Sequence, residues 1–162
     1  MTDALCVDGI QRAVRSLEKA FHQGDDLDAR EDMALCALYS GMALANAGLG
    51  AVHGFAAPIG GMFPAPHGAV CAALLAPVWA KNARRVVHRE KFDRVDAMLG
   101  GDAVAFLRRM TQRLGIPKLQ TWAIQESDLD EIARKAAAAS SMKANPVALG
   151  HDELIAILRE AL

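Results

Sequence analysis

Two histidines, His53 and His67, stand in a stretch of the sequence that is unusually rich in glycine and proline. Residues 48–68 contain both histidines together with six glycines and three prolines. Glycine serves where the backbone turns or is approached closely, and proline fixes the direction of the chain. A separation of 14 residues is too wide for two side chains on one helix face. We therefore expect a turn of the chain to bring the two imidazoles together.

Two converging imidazoles would suit a divalent metal such as Fe²⁺ or Zn²⁺. A single histidine is more often a hydrogen-bonded core or surface residue than a ligand. The residues of the pair alone therefore leave both interpretations open, a shared metal site and two ordinary histidines. The remaining histidines lack such a context and are expected on solvent-exposed faces: His22, His88 and His151.

The segments around this stretch are predicted to be helical. The chain has 162 residues, of which 52% are apolar but only 5% aromatic, a composition rich in helix formers such as Ala and Leu. No strand-like alternation or internal repeat appears. The pattern predicts an all-α fold, a single bundle-like domain of seven or eight helices over residues 1–162. The predicted helices span 3–22, 28–45, 68–82, 84–98, 102–114, about 128–140, and 151–162.

Two features of the second predicted helix carry specific expectations. Asp28 and Glu31 have the spacing of a capping box, which would start the helix there. The helix is apolar nearly all round, which is typical of a helix in the middle of a bundle.

Later in the chain, Gly100-Gly101 and Gly115 are expected to end helices. Trp79 and Trp122 are most simply core residues.

Charge and composition exclude several function classes. A net charge of −1 offers no electrostatic basis for binding nucleic acid or an anionic membrane. The first residues are acidic where a signal peptide would be basic, and no run approaches the ~18 apolar residues of a membrane span. We expect a soluble, cytoplasmic protein.

Three widely spaced cysteines indicate neither a disulfide framework nor a thiolate zinc site. We expect each to be a small buried apolar residue: Cys6, Cys36 and Cys71.

The stretch around the two histidines also resembles the signature of iron-containing (group III) alcohol dehydrogenases. The matching elements are Asn46-Ala47, His53, Pro58-Ile59-Gly60, Pro66-His67-Gly68, Leu74-Leu75-Ala76-Pro77 and Asn82. A weaker similarity continues through Asn145-Pro146 to the last helix, so the resemblance covers nearly the whole chain. It implies that the fold is the C-terminal, helical metal-binding domain of such an enzyme.

In that family, one Asp and three His hold a divalent metal that polarises the substrate's oxygen, while NAD(P) exchanges a hydride with the same carbon. His53 and His67 match the family's last two ligands. The family's Asp, its first His and its nucleotide-binding domain lie upstream of the matching region, so we expect them to be absent here. Ala57 stands where the motif often has a further histidine for substrate or proton handling.

The resemblance implies metal-assisted hydride exchange between a small alcohol or aldehyde and NAD(P), with no turnover by the isolated chain. The metal would be Fe²⁺ or Zn²⁺, and NAD(P) would bind only if a nucleotide-binding half is supplied. The nucleotide-binding half would be a separate chain, or the present chain would be a fragment of a longer protein. A second copy that docks on an exposed apolar face is the other expected partner. Two alternatives stay open. One is a non-catalytic all-α scaffold or dimerisation module, and the other is a small metal-binding module that uses His53 and His67.

Overall fold

Helix-forming segments make up most of the protein, as its alanine- and leucine-rich composition predicts. The structure, a computed structural model, describes residues 1–162. Its eight α-helices are α1 (Thr2–His22), α2 (Leu27–Ala47), α3 (Ala51–Met62), α4 (His67–Arg85), α5 (Glu90–Met98), α6 (Ala103–Arg113), α7 (Leu129–Ala138) and α8 (His151–Ala161). Three short 3-10 helices span Leu119–Trp122, Glu126–Asp128 and Ser140–Ala144. The all-α class and the number of helices are confirmed, and there is no β-strand.

Helix α3 was not predicted, because its sequence is poor in helix formers. It contains Pro58 in its interior, together with three glycines. Its inner face carries Phe55 and Ile59, both fully buried. Burial of side chains of this size contributes about 1.5–3 kcal/mol each, which offsets the lower helix propensity of Gly and Pro. Tertiary packing therefore decides the conformation of this segment.

Several helix ends differ from the sequence-based expectation. Helix α2 begins at Leu27, and the side chain of Asp26 accepts a hydrogen bond from the Ala29 amide at 2.8 Å. Since Asp28 already lies in the first turn, the predicted capping box of Asp28 and Glu31 is wrong. Helix α4 continues through Pro77 to Arg85. Helix α5 begins only at Glu90.

The glycines after α5 and α6 end those helices as predicted. Gly100 and Gly101 have φ angles of 86° and 93°, and Gly115 has a φ angle of 65°. A residue with a side chain is strained in this left-handed region. Ala123 adopts it as well, with a φ angle of 62°, which was not predicted.

Residues 1–48 form one compact unit, in which α1 and α2 pack on each other. A buried carboxylate joins the two helices, since Asp32 of α2 accepts hydrogen bonds from Arg12, Arg15 and Ser16 of α1. The expectation that α2 is buried on all sides is wrong. Its buried residues are only Ala29 and Asp32, and its exposed apolar side chains include Leu38, Met42 and Leu44. Within this unit α2 packs against a single helix, so only one face is covered.

Residues 49–162 form the second compact unit, and its core holds α3 and α4 in place. Helix α3 packs against α4 and α7, while α4 also packs against α6 and α8. The largest fully buried side chains of these helices lie in α3, α4, α7 and α8: Phe55, Ile59, Val70, Leu74, Leu129, Ile132, Leu154, Ile157 and Leu158. Trp122 packs against this core, and Trp79 lies against Phe92 with ring centroids 4.6 Å apart. The core thus fixes the two helices that carry the histidine pair.

No single helix combines the length and apolarity required to cross a membrane, although α2 and α3 taken together pass the same test.

Candidate metal centre

The two candidate histidines lie next to each other in the folded chain. His53 is in the first turn of α3, and His67 is the first residue of α4. The residues between the two helices, 63–66, include two prolines and reverse the chain. The imidazole centroids are 5.4 Å apart, with the ring planes at 47°. The expectation that a turn brings the rings together is met, while metal ligation stays a prediction.

The start of α3 is held by a residue far along the chain. The Ala51 amide donates a hydrogen bond to Oδ1 of Asn145 at 3.1 Å. This amide is one of the first-turn donors that have no partner within a helix. Asn145 in turn exchanges two side-chain hydrogen bonds with buried Asn82 of α4, at 2.8 and 3.0 Å. The Asn82–Asn145 pair therefore connects α3 to α4 close to the backbone of His53.

The backbone next to His53 also comes close to a neighbouring segment. A Cβ atom on Gly54 would lie 2.8 Å from Cε of Met142, and 3.5 Å from its Cα. Met142 belongs to the 3-10 helix that leads to Asn145. Glycine at this position lets that segment approach α3. The hydrogen bonds of Asn145 and the close approach of Met142 together explain why the residues next to His53 are small.

The environment of His53 favours its neutral form. Burial lowers the pKa of His53, and the positive charge of a protonated His67 lowers it further. His67 itself is exposed. A metal ligates the neutral imidazole, so the position of His53 suits a ligand.

Cys71 is a third donor that sequence reasoning missed. It lies one turn after His67 in α4, and its Sγ is 3.5 Å from Nε2 of His67. One donor atom each from His53, His67 and Cys71 lie within 4.8 Å of one another. The available signal was the four-residue spacing between His67 and Cys71, which places two side chains on one helix face. Burial raises the pKa of the Cys71 thiol.

The other cysteines and histidines lie elsewhere. All three cysteines are free; Cys6 is exposed rather than buried, and Cys36 is half-buried. The expectation of three buried cysteines is therefore wrong, since Cys6 projects from the outer side of α1. His22, His88 and His151 are exposed, as predicted. Nε2 of His151 lies 2.9 Å from Oδ1 of Asp130.

The chemistry of the donor set fits a divalent cation. Imidazole nitrogens suit Zn²⁺ and Fe²⁺, and a cysteine thiolate suits Zn²⁺. Ala57, where related motifs often carry a further histidine, lies exposed one turn after His53. Its methyl group offers no proton-transfer group at that position.

Comparison with known proteins gives one consistent result. The model of the Fe-containing alcohol dehydrogenase family, C-terminal, matches residues 1–162. The chain is 33% identical to 1,3-propanediol dehydrogenase of Klebsiella pneumoniae, over 99% of this chain and 44% of the relative. It is 34% identical to alcohol dehydrogenase 4 of Schizosaccharomyces pombe, over 100% of this chain and 40% of the relative. The chain thus spans less than half the length of these relatives.

The fold agrees with solved structures as well. A crystal structure of 1,3-propanediol oxidoreductase superposes with a TM-score of 0.92 at 33% sequence identity. The match covers 99% of this chain and 45% of that one. The helical fold is therefore that of the C-terminal part of such enzymes.

Proposed function

The chain belongs to the Fe-containing alcohol dehydrogenase family, and on that premise we propose that it supplies the metal-holding part of an alcohol oxidoreductase. The reaction would exchange a hydride between NAD(P) and a small alcohol or its aldehyde. The observation that carries the proposal is the pair of imidazoles, His53 and His67, with centroids 5.4 Å apart on two helices fixed by a common core.

In this proposal His53 and His67 hold a divalent cation, Fe²⁺ or Zn²⁺. When bound, such a cation supplies Lewis-acid chemistry by polarising the oxygen of the substrate. The chain's own contribution is to place the two ligands. Asn145 anchors the first turn of α3, and burial keeps His53 neutral by lowering its pKa. The helices that carry the two ligands therefore need not move when the cation binds.

A nucleotide-binding partner would supply NAD(P) in this proposal. The described residues contain no strand followed by a glycine-rich loop and a helix, the unit that commonly binds dinucleotides. This role would fall to a nucleotide-binding unit, either in a separate chain or in a further part of a longer protein. The substrate class is a short alcohol, in keeping with relatives named for 1,3-propanediol. Residues at the turn after His53, Met62 and Phe63, are half-buried and apolar, and would form one wall of a substrate pocket.

Calorimetry tests the metal proposal directly. The native chain is titrated with Fe²⁺ under anaerobic conditions, and separately with Zn²⁺, alongside His53→Ala and His67→Ala. His88→Ala is the matched control, since His88 is exposed and distant in sequence from the pair. We expect binding to be lost in both test variants and kept in the control. Binding that is indifferent to His53 and His67 would remove the proposed chemistry.

A second candidate function is a scaffold or dimerisation module, and the exposed apolar surface of α2 favours it. Leu38 is 57% exposed, Met42 43% and Leu44 45%. Leu38 and Met42 lie one turn apart on α2, and exposed apolar side chains on one helix face are typical of an interaction site. Light scattering separates the candidates. A dimer that Leu38→Lys dissociates, in a chain that binds no metal, would support the scaffold, whereas a monomer that binds metal would contradict it.

A further inference from the structure

Cys71 gives the histidine pair a sulfur donor that the family resemblance does not assign. We propose that this chain binds a divalent cation through three residues, His53, His67 and Cys71, in a two-nitrogen, one-sulfur site that prefers Zn²⁺. The inference rests on the proposed metal role of the two histidines. It goes beyond that role because it names a third ligand and the class of cation that the site selects.

The spacing of His67 and Cys71 within α4 allows the two side chains to share one cation. His67 and Cys71 are four residues apart in a continuous helix, so their side chains leave the same face one above the other. This is the arrangement by which helices present two ligands to one zinc ion. The side chains of two consecutive turns of α4 can therefore reach one cation without any change in the backbone.

The distance between the two donor atoms carries the second step. Sγ of Cys71 lies 3.5 Å from Nε2 of His67. With Zn–N bonds of about 2.0–2.1 Å and Zn–S bonds of about 2.3 Å, tetrahedral angles place a nitrogen and a sulfur ligand roughly 3.5 Å apart. The observed separation is already that of two ligands on one zinc ion.

His53 joins from the neighbouring helix. Its donor atom lies within 4.8 Å of those of His67 and Cys71. Two nitrogen ligands on one tetrahedral zinc ion are roughly 3.3 Å apart, so a small rotation of the side chains closes the remaining gap. The backbones stay in place during this rotation, because α3 and α4 share a fully buried core through Phe55, Ile59 and Leu74.

The donor types favour Zn²⁺ over the hard cations Mg²⁺ and Mn²⁺. The group contains no carboxylate, and carboxylate and water oxygens are the ligands that Mg²⁺ and Mn²⁺ prefer. A thiolate with two imidazoles suits Zn²⁺ and its spectroscopic substitute Co²⁺. Three protein ligands also leave the fourth tetrahedral position open, as in catalytic zinc sites.

The competing explanation is a hydrogen-bonded pair. A thiol 3.5 Å from an imidazole nitrogen can simply share a proton with it. In that case Cys71 would stabilise the ring of His67 without touching a cation. The two explanations differ in whether a metal–sulfur bond forms, and this can be observed directly.

Co²⁺ absorption is the decisive measurement. The full chain is titrated with Co²⁺ under reducing, anaerobic conditions while the near-ultraviolet and visible spectra are recorded. We expect a sulfur-to-cobalt charge-transfer band that saturates with one ion per chain and disappears when Zn²⁺ is added. Cys71→Ser should abolish the band and weaken Co²⁺ and Zn²⁺ binding by about tenfold or more, since even groups behind the ligands contribute that much. Cys36→Ser, which removes another half-buried thiol, should change neither.

The outcomes separate this inference from the proposed function. If Cys71→Ser binds Co²⁺ as tightly as the native chain, and the native complex lacks the sulfur band, Cys71 is not a ligand. In that case, a loss of binding in His53→Ala and His67→Ala would still support a site formed by the two histidines. If no variant differs from the native chain, both proposals fail.

Alkylation gives an independent readout that requires no variant. Iodoacetamide labelling of the native chain, followed by peptide mass spectrometry, should show Zn²⁺ protecting Cys71 and leaving the exposed Cys6 reactive. Equal labelling of Cys71 with and without Zn²⁺ would overturn the inference. Mg²⁺ at the same concentration serves as the control cation and should protect neither thiol.

Discussion

At His53, burial and a neighbouring positive charge act in the same direction. Both lower the pKa of the imidazole, with burial the larger cause and the charge of a protonated His67 the smaller one. The ring therefore stays neutral at pH values where an ordinary histidine, with a pKa of about 6.5, would already carry a proton. A ligand held in this state need not lose a proton before it binds a cation.

We predict that NMR titration of the metal-free chain will give a pKa of His53 below about 6.5. His67→Ala should raise this pKa only in part, because the larger cause, burial, remains. The folded chain binds this proton less tightly than the unfolded chain does. The contribution of His53 to the free energy of unfolding is therefore full above about pH 6.5 and declines as the pH falls towards the folded pKa. An ordinary pKa for His53 in the native chain would contradict the burial seen here.

At the scale of the helices, α3 depends on contacts outside its own segment. Its sequence contains a proline and three glycines, and one of its first-turn amides is satisfied only by Asn145. The same asparagine pairs with buried Asn82 through both atoms of its amide. Removing Asn145 would therefore leave several polar groups without partners at one point.

We predict that Asn145→Ala lowers the free energy of unfolding by about 1–3 kcal/mol, the cost of leaving buried polar groups unsatisfied. It should also weaken metal binding by His53, since α3 starts only two residues earlier. Denaturant unfolding followed by circular dichroism measures the first effect. Asn46→Ala is the matched control, because Asn46 is exposed and bonds only within its own helix. A loss in Asn145→Ala no larger than in the control would show that the network is dispensable.

A carboxylate also contributes to the pairing of α1 and α2. Hydrogen bonds from Arg15, and then from Ser16, hold the pKa of Asp32 well below its usual range. The folded chain thus binds this proton less tightly than the unfolded chain, in which the pKa is about 3.9. The resulting stability is fully present above that pH and is lost as the pH falls towards the folded pKa.

Thermal unfolding of Asp32→Asn tests this linkage. At neutral pH we expect a lower melting temperature than in the native chain, because two arginines lose their partner. The difference should narrow as the pH is lowered below about 3.9, where the native carboxylate also becomes protonated. Asp25→Asn, in the exposed loop between the helices, should behave like the native chain throughout. A difference that does not depend on pH would mean that the packing of Asp32, and not its charge, joins the helices.

At the scale of the whole chain, the proposed reaction needs both a metal and a place for NAD(P). The helices described here offer donor atoms for the first and no dinucleotide-binding unit for the second. The chain also spans only 44% of the Klebsiella pneumoniae relative. The proposed reaction would therefore require a nucleotide-binding unit in addition to residues 1–162.

We predict that the isolated chain, loaded with Zn²⁺ or Fe²⁺, will not reduce NAD⁺ or NADP⁺ with 1,3-propanediol as the donor. The physical reason is that no described element holds the nicotinamide beside the histidines. Absorbance of the reduced nucleotide measures the rate, and the full-length Klebsiella pneumoniae relative serves as the positive control. Turnover at ordinary enzyme rates by the isolated chain would refute the requirement for a partner.

The sequence predicted what depends on local pattern, and it failed where distant packing decides. The amphipathic helices and the stops at Gly100, Gly101 and Gly115 follow from periodicity and backbone freedom, and they are found in the structure. The histidine pair was predicted from its glycine and proline context. Helix α3 was missed because its buried face, and not its propensity, makes it helical.

Two further misses have physical causes as well. Cys71 looked like a small apolar residue, because its four-residue spacing from His67 is a weak signal until His53 is seen to lie beside both. Helix α2 looked like a central helix, because its composition does not reveal how many neighbours it has. Both depend on which segments meet, and one sequence carries little information on that.

The hydrogen bond between Ala51 and Asn145 joins residues that are 94 positions apart, and this has a consequence for how the protein is made. On the ribosome, the α1–α2 pair can close early, because its bonds to Asp32 span only 16 to 20 residues. The first turn of α3 must wait until Asn145 has emerged, since this residue caps it. The surroundings of His53 are thus completed long after the histidine itself has been synthesised. A nascent chain that stalls before Asn145 carries both histidines without the geometry that makes them useful.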